Sequence, residues 1–165
     1  MVNQINKYLV VSVDAIPNIG GISNYGHNLS NTLAKHFGET FFLGPLGTTP
    51  NDGMKVNYKI IEDTASNISN KFGENYEKEV LRLEKLFEKI IKRYSLNNII
   101  LVHAFYYGRP LLNVCKRLNI KSGLIVHGTE MTSLYKDSHK NNNLEIIEPD
   151  SLAFELRYVL ANSNL

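Results

Sequence analysis

Short apolar runs and longer amphipathic stretches alternate from one end of the chain to the other. Residues 7–13 form a short continuous apolar run, and further strands are predicted at residues 40–44, 98–104, 121–128 and 157–163, of which 98–104 and 121–128 are expected to be buried. Runs of this length without alternation are typical of strands buried on both faces, as in a parallel sheet. Residues 55–61 instead alternate apolar with polar positions, which predicts an edge-like strand.

Helical periodicity fills the stretches between these strands. Behind a double glycine, apolar residues recur at helical spacing from Ile22 to Phe37, and Gly38 ends the pattern. Ser23 or Asn24 is placed to cap this helix. The other predicted helices are residues 74–94, which have the clearest apolar stripe, 108–119 and 148–156.

This alternation predicts an α/β fold with an open, mostly parallel sheet and helices on both faces. Each crossover must return the chain to the same edge of the sheet, which requires a helix between consecutive strands. We expect residues 1–165 to form one Rossmann-like domain, since that length suffices for a single core. The sequence stops directly after an apolar run, so we expect a further domain to follow in a longer protein.

Composition and charge narrow the class of protein. The chain is 43% hydrophobic and 21% charged, as in a globular domain, and its net charge of +2 is too small to predict a nucleic-acid partner. Cys115 is the only cysteine, which favours a reducing, cytoplasmic location. No run approaches the ~18 apolar residues of a transmembrane helix, and no cleavage site follows the first run.

Ligands of open parallel sheets bind beyond the carboxyl ends of the strands, and residues 14–23 lie at such a position. Gly20 and Gly21 begin a helix there, where backbone N–H groups can hold a phosphate. The spacing to Gly26 does not fit the dinucleotide fingerprint, and no P-loop lysine is present. The sequence leaves two interpretations open, a phosphate site and a plain strand-to-helix turn.

Two further segments, residues 103–109 and 127–133, each begin with a histidine that ends an apolar run. His103 and His127 can donate a hydrogen bond to a hydroxyl or move a proton, or simply close a strand as packed side chains. Glu130 is a candidate general base or hydroxyl ligand, or an exposed loop carboxylate. The sequence has no Cys/His cluster with metal-ligand spacing, so we expect no metal.

Three other side chains have a binding or packing interpretation. Tyr106 and Tyr107 could stack on a base or a sugar, or pack beneath their own loop. Cys115 lies among apolar helix positions, which favours a core residue over a nucleophile. No Gly-x-Ser-x-Gly sequence supports a hydrolase.

Three segments, taken in order, resemble the N-terminal domain of retaining GT-B glycosyltransferases of family four. Residues 17–39 are similar to that family's Pro-x-x-Gly-Gly opening and the helix that follows it. Residues 97–131 are similar to its histidine-containing strand, helix and His-Gly-x-Asp/Glu segment. Residues 158–163 are similar to the last strand of that domain, so the resemblance covers nearly the whole chain.

The resemblance implies one half of a GT-B fold, with a nucleotide-sugar donor and an acceptor glycan or lipid meeting in a cleft. Gly20 and Gly21 would lie near the donor phosphates or the transferred sugar. His127 would contact a donor-sugar hydroxyl near the anomeric carbon, and Glu130 would lie on the acceptor side. His103 would line the cleft more peripherally. No metal or other cofactor is implied, because the nucleotide sugar is a substrate.

The family's donor-binding glutamates belong to a C-terminal domain outside this sequence. We therefore expect residues 1–165 to act with that domain, either within one longer chain, which we favour, or as a half-chain with a separate partner. Alone, they are expected to lack transferase activity and to be compatible with peripheral membrane association. Two alternatives stay open. One is a nucleotide- or dinucleotide-binding Rossmann module, which the lack of an acidic residue at 42–45 disfavours. The other is a non-catalytic carbohydrate- or protein-binding domain.

Overall fold

A computed structural model describes residues 5–18, 20–66, 76–127 and 158–161 of the chain. Within these ranges the strands and longer helices are β1 Lys7–Val11, α1 Gly21–His36, β2 Glu39–Pro45, β3 Lys59–Asp63, α2 Tyr76–Tyr94, β4 Asn98–Leu101, α3 Gly108–Leu118 and β5 Lys121–Leu124. All strand pairs are parallel, and the strand order is β3-β2-β1-β4-β5. This sheet confirms the predicted fold class.

The central strand β1 is buried on both faces, because its side chains point alternately to opposite sides of the sheet. Leu9 and Val11 belong to a core cluster that includes apolar residues of α2 and α3. Val10, between them, belongs to a second cluster that includes residues of α1. Helices α2 and α3 therefore cover one face of the sheet and α1 covers the other, as the sequence predicts.

Helix α1 begins at the double glycine, but neither predicted capping residue occupies its N-cap. Gly20 is the N-cap, in an extended conformation that provides no side-chain oxygen. The Ser23 hydroxyl instead reaches back, accepts a hydrogen bond from the Gly20 N–H at 3.2 Å and donates to the Asn18 carbonyl at 2.6 Å. The helix start is thus fixed from within its first turn.

Strand β3 begins four residues later than the alternating pattern predicts. The preceding segment packs along α1 instead, through the amide side chain of Asn31. Its Nδ2 donates to the Lys55 carbonyl at 3.1 Å, and its Oδ1 accepts the Asn57 N–H at 2.9 Å. These bonds satisfy backbone groups that a longer strand would have offered to the sheet.

The predicted last strand, residues 157–163, is wrong for the part that the structure describes, since residues 158–161 are helical. Val159 is fully buried, and its methyl group packs so closely on Gly108 of α3 that a Cβ there would lie 2.7 Å away. The Tyr158 hydroxyl donates to Asn113 Oδ1 at 2.6 Å. Docking on α3 therefore replaces pairing with the sheet. The predicted helix at 148–156 lies outside the described residues.

Across the described ranges, none of the helices combines the length and the apolar content that crossing a membrane requires.

Candidate functional site

The strand order places a crevice at the carboxyl ends of β1 and β4. From β1 the chain moves to β2 through α1 on one face, and it later returns beside β1 as β4 through α2 on the other face. In open α/β sheets, this reversal of direction separates the two adjoining loops and leaves room for a ligand. The segments that follow β1, β4 and β5 meet at this edge.

The loop after β1 forms one side of this crevice, and its two glycines have different surroundings. A Cβ on Gly20 would lie 3.3 Å from the Asp14 carboxylate, and the Gly20 N–H is already bonded to Ser23. Gly21 is exposed, and a Cβ there would meet no atom of the described residues within 4 Å. Gly21 is therefore the glycine that leaves open space beside the first turn of α1.

The two histidines that end apolar strands come together at the same edge. The rings of His103 and His127 are stacked, with centroids 6.4 Å apart and planes inclined by 16°. On α1, the ring of Tyr25 meets His127 edge-on at 5.7 Å. Tyr25 lies four residues after Gly21, so both are on the same side of the helix. Three rings thus line the edge beside the open glycine position.

The His103 ring is held in one orientation by its own loop. The side chain is 9% exposed, and its Nδ1 accepts the Phe105 N–H at 3.2 Å. An accepting Nδ1 requires the proton of the neutral ring to sit on Nε2, which is a hydrogen-bond donor. His103 therefore offers an N–H and not a lone pair at Nε2.

The remaining predicted residues have different outcomes. Tyr106 and Tyr107 are 2% and 0% exposed, and Tyr107 packs edge-on against Phe87 at 5.9 Å, so the packing interpretation is confirmed. Cys115 is buried in the core, where burial raises the pKa of its thiol to about 12, as expected of a non-nucleophile. Glu130 lies outside the described residues.

Sequence reasoning did not identify Tyr25 and Asp14 as site residues. Asp14 could have been found, because it is the first carboxylate after a buried strand. Tyr25 carries the weaker signal of lying one turn beyond the double glycine, and only the folded chain places it against His127.

Other concave or metal-like features lie away from this edge or are absent from the described ranges. A cavity of about 430 Å³ lies at the opposite, amino-terminal edge of the sheet, and its lining includes Asn6, Asn97, Asn119 and Lys121. No group of three or more His, Cys, Asp or Glu residues is arranged to hold a metal ion in the part of the chain that the structure describes.

No protein-family model matches this chain, and no curated protein matches it in sequence. Among solved structures, it is similar to LpCGTa in complex with UDP, at 12% identity and a TM-score of 0.49. The match covers 84% of this chain and 35% of LpCGTa, so the chain spans about a third of that protein's length. At this identity and TM-score, the match does not establish a shared family or activity.

Proposed function

We propose that this chain is the acceptor-side domain of a glycosyltransferase that moves a sugar from a nucleotide-sugar donor to a hydroxyl of a glycan or lipid, with retention. The observation that carries the proposal is the meeting of His103, His127 and Tyr25 at one edge of the sheet, beside the open position at Gly21. The first two sequence motifs support it, because the first contains Gly21 and Tyr25 and the second contains His103 and His127.

The chemistry of these side chains suits a sugar. A sugar offers hydroxyl groups around its rim and apolar C–H groups on its ring faces. An imidazole N–H, such as that of His103 Nε2, can donate to a hydroxyl, and a tyrosine ring with 43% exposure, such as Tyr25, can cover an apolar face. We assign His127 the hydroxyl nearest the anomeric carbon and His103 a more peripheral position.

Sugar transfer breaks the bond between the anomeric carbon and a phosphate oxygen, so negative charge develops on the leaving phosphate. The first N–H groups of α1 carry partial positive charge and can stabilise it. We place this phosphate against Gly21, because the Asp14 carboxylate beside Gly20 would repel it. Glu130 is proposed to face the acceptor.

The proposed enzyme needs no resident metal, since N–H groups stabilise the leaving phosphate. The principal donor contacts are assigned to a second domain, so residues 1–165 alone are expected to release no nucleotide from a nucleotide sugar. Robust turnover by these residues in a nucleotide-release assay would contradict the assignment of the principal donor contacts to a second domain.

Saturation-transfer NMR tests the proposed ligand class directly. Residues 1–165 are titrated separately with UDP-, GDP- and ADP-sugars, with the free nucleotides and with NAD. We expect saturation of sugar-ring protons for at least one nucleotide sugar, and its loss in His127→Ala. The matched control His36→Ala, an exposed histidine near the end of α1, should behave as the wild type. Binding of NAD with no response from any sugar would overturn the proposal.

A further inference from the structure

A partly buried ion network joins the end of β3, helix α2 and the loop after β4. Asp63 is 1% exposed and accepts two hydrogen bonds from Arg82, from Nη1 at 2.8 Å and from Nη2 at 2.7 Å. Arg82 also donates to Glu79, from Nε at 2.8 Å and from Nη2 at 2.7 Å. One guanidinium therefore binds two carboxylates, and both bonds to Asp63 form the planar fork that arginine favours.

The charges of this network are mutually stabilised. Hydrogen bonds with Glu79, and then with Asp63, raise the pKa of Arg82 against the opposing effect of burial. Burial alone would raise the pKa of Glu79, but its hydrogen bonds with Arg82 and Tyr106 hold it below the ordinary value. Glu79 and Arg82 are thus both ionised at neutral pH.

Tyr106 connects this network to the site loop. Its hydroxyl donates to Glu79 Oε1 and accepts from Arg82 Nη2 at 3.3 Å. Its backbone φ is +65°, in the left-handed region that bulky residues avoid. A tyrosine keeps such a conformation only where its surroundings hold it there. The two hydrogen bonds and the complete burial of its ring provide that restraint.

The same short loop orients His103. The Phe105 N–H donates to His103 Nδ1 at 3.2 Å, and the Phe105 carbonyl accepts the Tyr107 N–H at 2.8 Å. Phe105 therefore lies between the residue that the network fixes and the histidine ring. A change in the backbone at Tyr106 would move the Phe105 N–H away from Nδ1.

We propose that Asp63, Arg82, Glu79 and Tyr106 are positioning residues, which hold the loop after β4 and thereby fix the tautomer and the orientation of the His103 ring at the ligand site. The proposal deepens the proposed function and rests on it for the identity of that ligand. Asp63, Glu79 and Arg82 lie outside this loop and hold it through Tyr106, so their proposed effect on the ligand is exerted through His103.

Long-range ¹H–¹⁵N spectra of the imidazoles test this without any ligand, on residues 1–165 at about pH 8, above the ordinary pKa of a histidine side chain. In the wild type, His103 should show the Nε2–H tautomer. Tyr106→Phe and Glu79→Ala should convert it to a mixture with the Nδ1–H tautomer. Glu79→Gln keeps an acceptor for the Tyr106 hydroxyl and should restore the wild-type pattern. Tyr94→Phe removes a tyrosine hydroxyl from the far end of α2 and serves as the control.

An unchanged His103 tautomer in both Tyr106→Phe and Glu79→Ala would overturn the proposal, and so would the same change in Tyr94→Phe. Backbone amide spectra of β1 and β4 report whether each variant is folded. If Tyr106→Phe does not fold, Glu79→Ala against Glu79→Gln decides the question. Absence of nucleotide-sugar binding by the wild type would refute the proposed function and leave the tautomer result standing.

Discussion

Two glycines of α1, Gly21 and Gly26, differ in what a side chain would meet. Among the residues that the structure describes, a Cβ on Gly21 has no neighbour within 4 Å, whereas a Cβ on Gly26 would lie 3.0 Å from the ring of Phe42 on β2. Gly26 therefore permits close packing of the helix on the sheet. Gly21 has no packing role of this kind, which is why we assign it to ligand binding.

Gly21→Leu should leave stability unchanged to within about 0.5 kcal/mol and abolish the nucleotide-sugar response. Gly26→Leu should lower the free energy of unfolding by about 1–3 kcal/mol, because Phe42 must move to admit the side chain. Urea unfolding and ligand titration of both variants measure the two effects separately. Normal sugar binding by Gly21→Leu would show that the double glycine serves only as a strand-to-helix turn.

His27 has a defined tautomer because its neighbours fix it. The Asn31 amide is oriented by its bonds to Lys55 and Asn57, so its Nδ2 donates to His27 Nε2 at 3.0 Å. His27 Nδ1 must then carry the proton and donate to the Tyr58 hydroxyl at 2.8 Å. A second proton on Nε2 would point at the Asn31 amide N–H, which is also a donor. Burial in addition lowers the pKa of His27 from its ordinary 6.5.

This arrangement predicts a loss of stability in mild acid. Because the folded-state pKa of His27 is lowered, the unfolded chain binds a proton more readily once the pH falls below 6.5. The stabilisation is therefore complete above pH 6.5 and declines below it, by at most about 1.4 kcal/mol per pH unit. Urea unfolding from about pH 7.5 to about pH 5 should show this slope in the wild type and in His36→Gln. An equal slope in His27→Gln would show that another group is responsible.

The two strand-end histidines could be predicted from the sequence as site candidates, but the side chains that surround and orient them could not. His103 and His127 end apolar strands, and parallel strands bring their carboxyl ends to one edge, so their proximity could be predicted. The contact with Tyr25 depends on where α1 lies over the sheet, which no local pattern specifies. The orientation of His103 depends on Tyr106, whose left-handed backbone has no signature in the sequence.

Among the elements, the helical residues 158–161 are held by α3 and not by the sheet. Gly108 lies at the start of α3, and its missing side chain leaves the space that Val159 fills. A continuous apolar run predicts burial at 157–163 correctly for Val159, but it does not distinguish a strand from a buried helix. The late start of β3 has a different cause, since Asn31 on α1 binds the backbone of the preceding residues, and an alternating pattern does not reveal that tertiary contact.

Gly108→Ala should destabilise the chain by about 1–3 kcal/mol, although alanine favours helices, because the new methyl group overlaps Val159. Val159→Ala should cost about 1–3 kcal/mol through lost burial. The double variant should be more stable than the sum of the two losses predicts, by about 0.5 kcal/mol or more, since the smaller side chain relieves the overlap. Strict additivity in urea unfolding would show that the two positions are not in contact.

For the whole molecule, strand–helix alternation was enough to predict the parallel sheet and its two helical layers. Strands β1, β2, β4 and β5 lie within segments predicted as strands, and the burial of Leu9, Val10 and Val11 shows why a continuous apolar run is needed at the centre of the sheet. The prediction of a buried strand at 121–128 is wrong for β5, because β5 is the outer strand of the described sheet and its side chains are exposed or half-buried. The strand order then brings the loops after β1, β4 and β5 together. The chemistry of the bound ligand does not follow from the fold, because one fold supports many functions.

Under the proposed function, a nucleotide sugar binds at the edge of the sheet where Gly21, Tyr25, His103 and His127 meet. The most direct measurement is a ¹H–¹⁵N correlation titration of residues 1–165 with the nucleotide sugar that gives the strongest saturation-transfer response. We predict shift changes centred on those four residues, with none at Asn97 or Asn119 on the opposite edge. Changes confined to that opposite edge, or equal changes with NAD, would contradict the account.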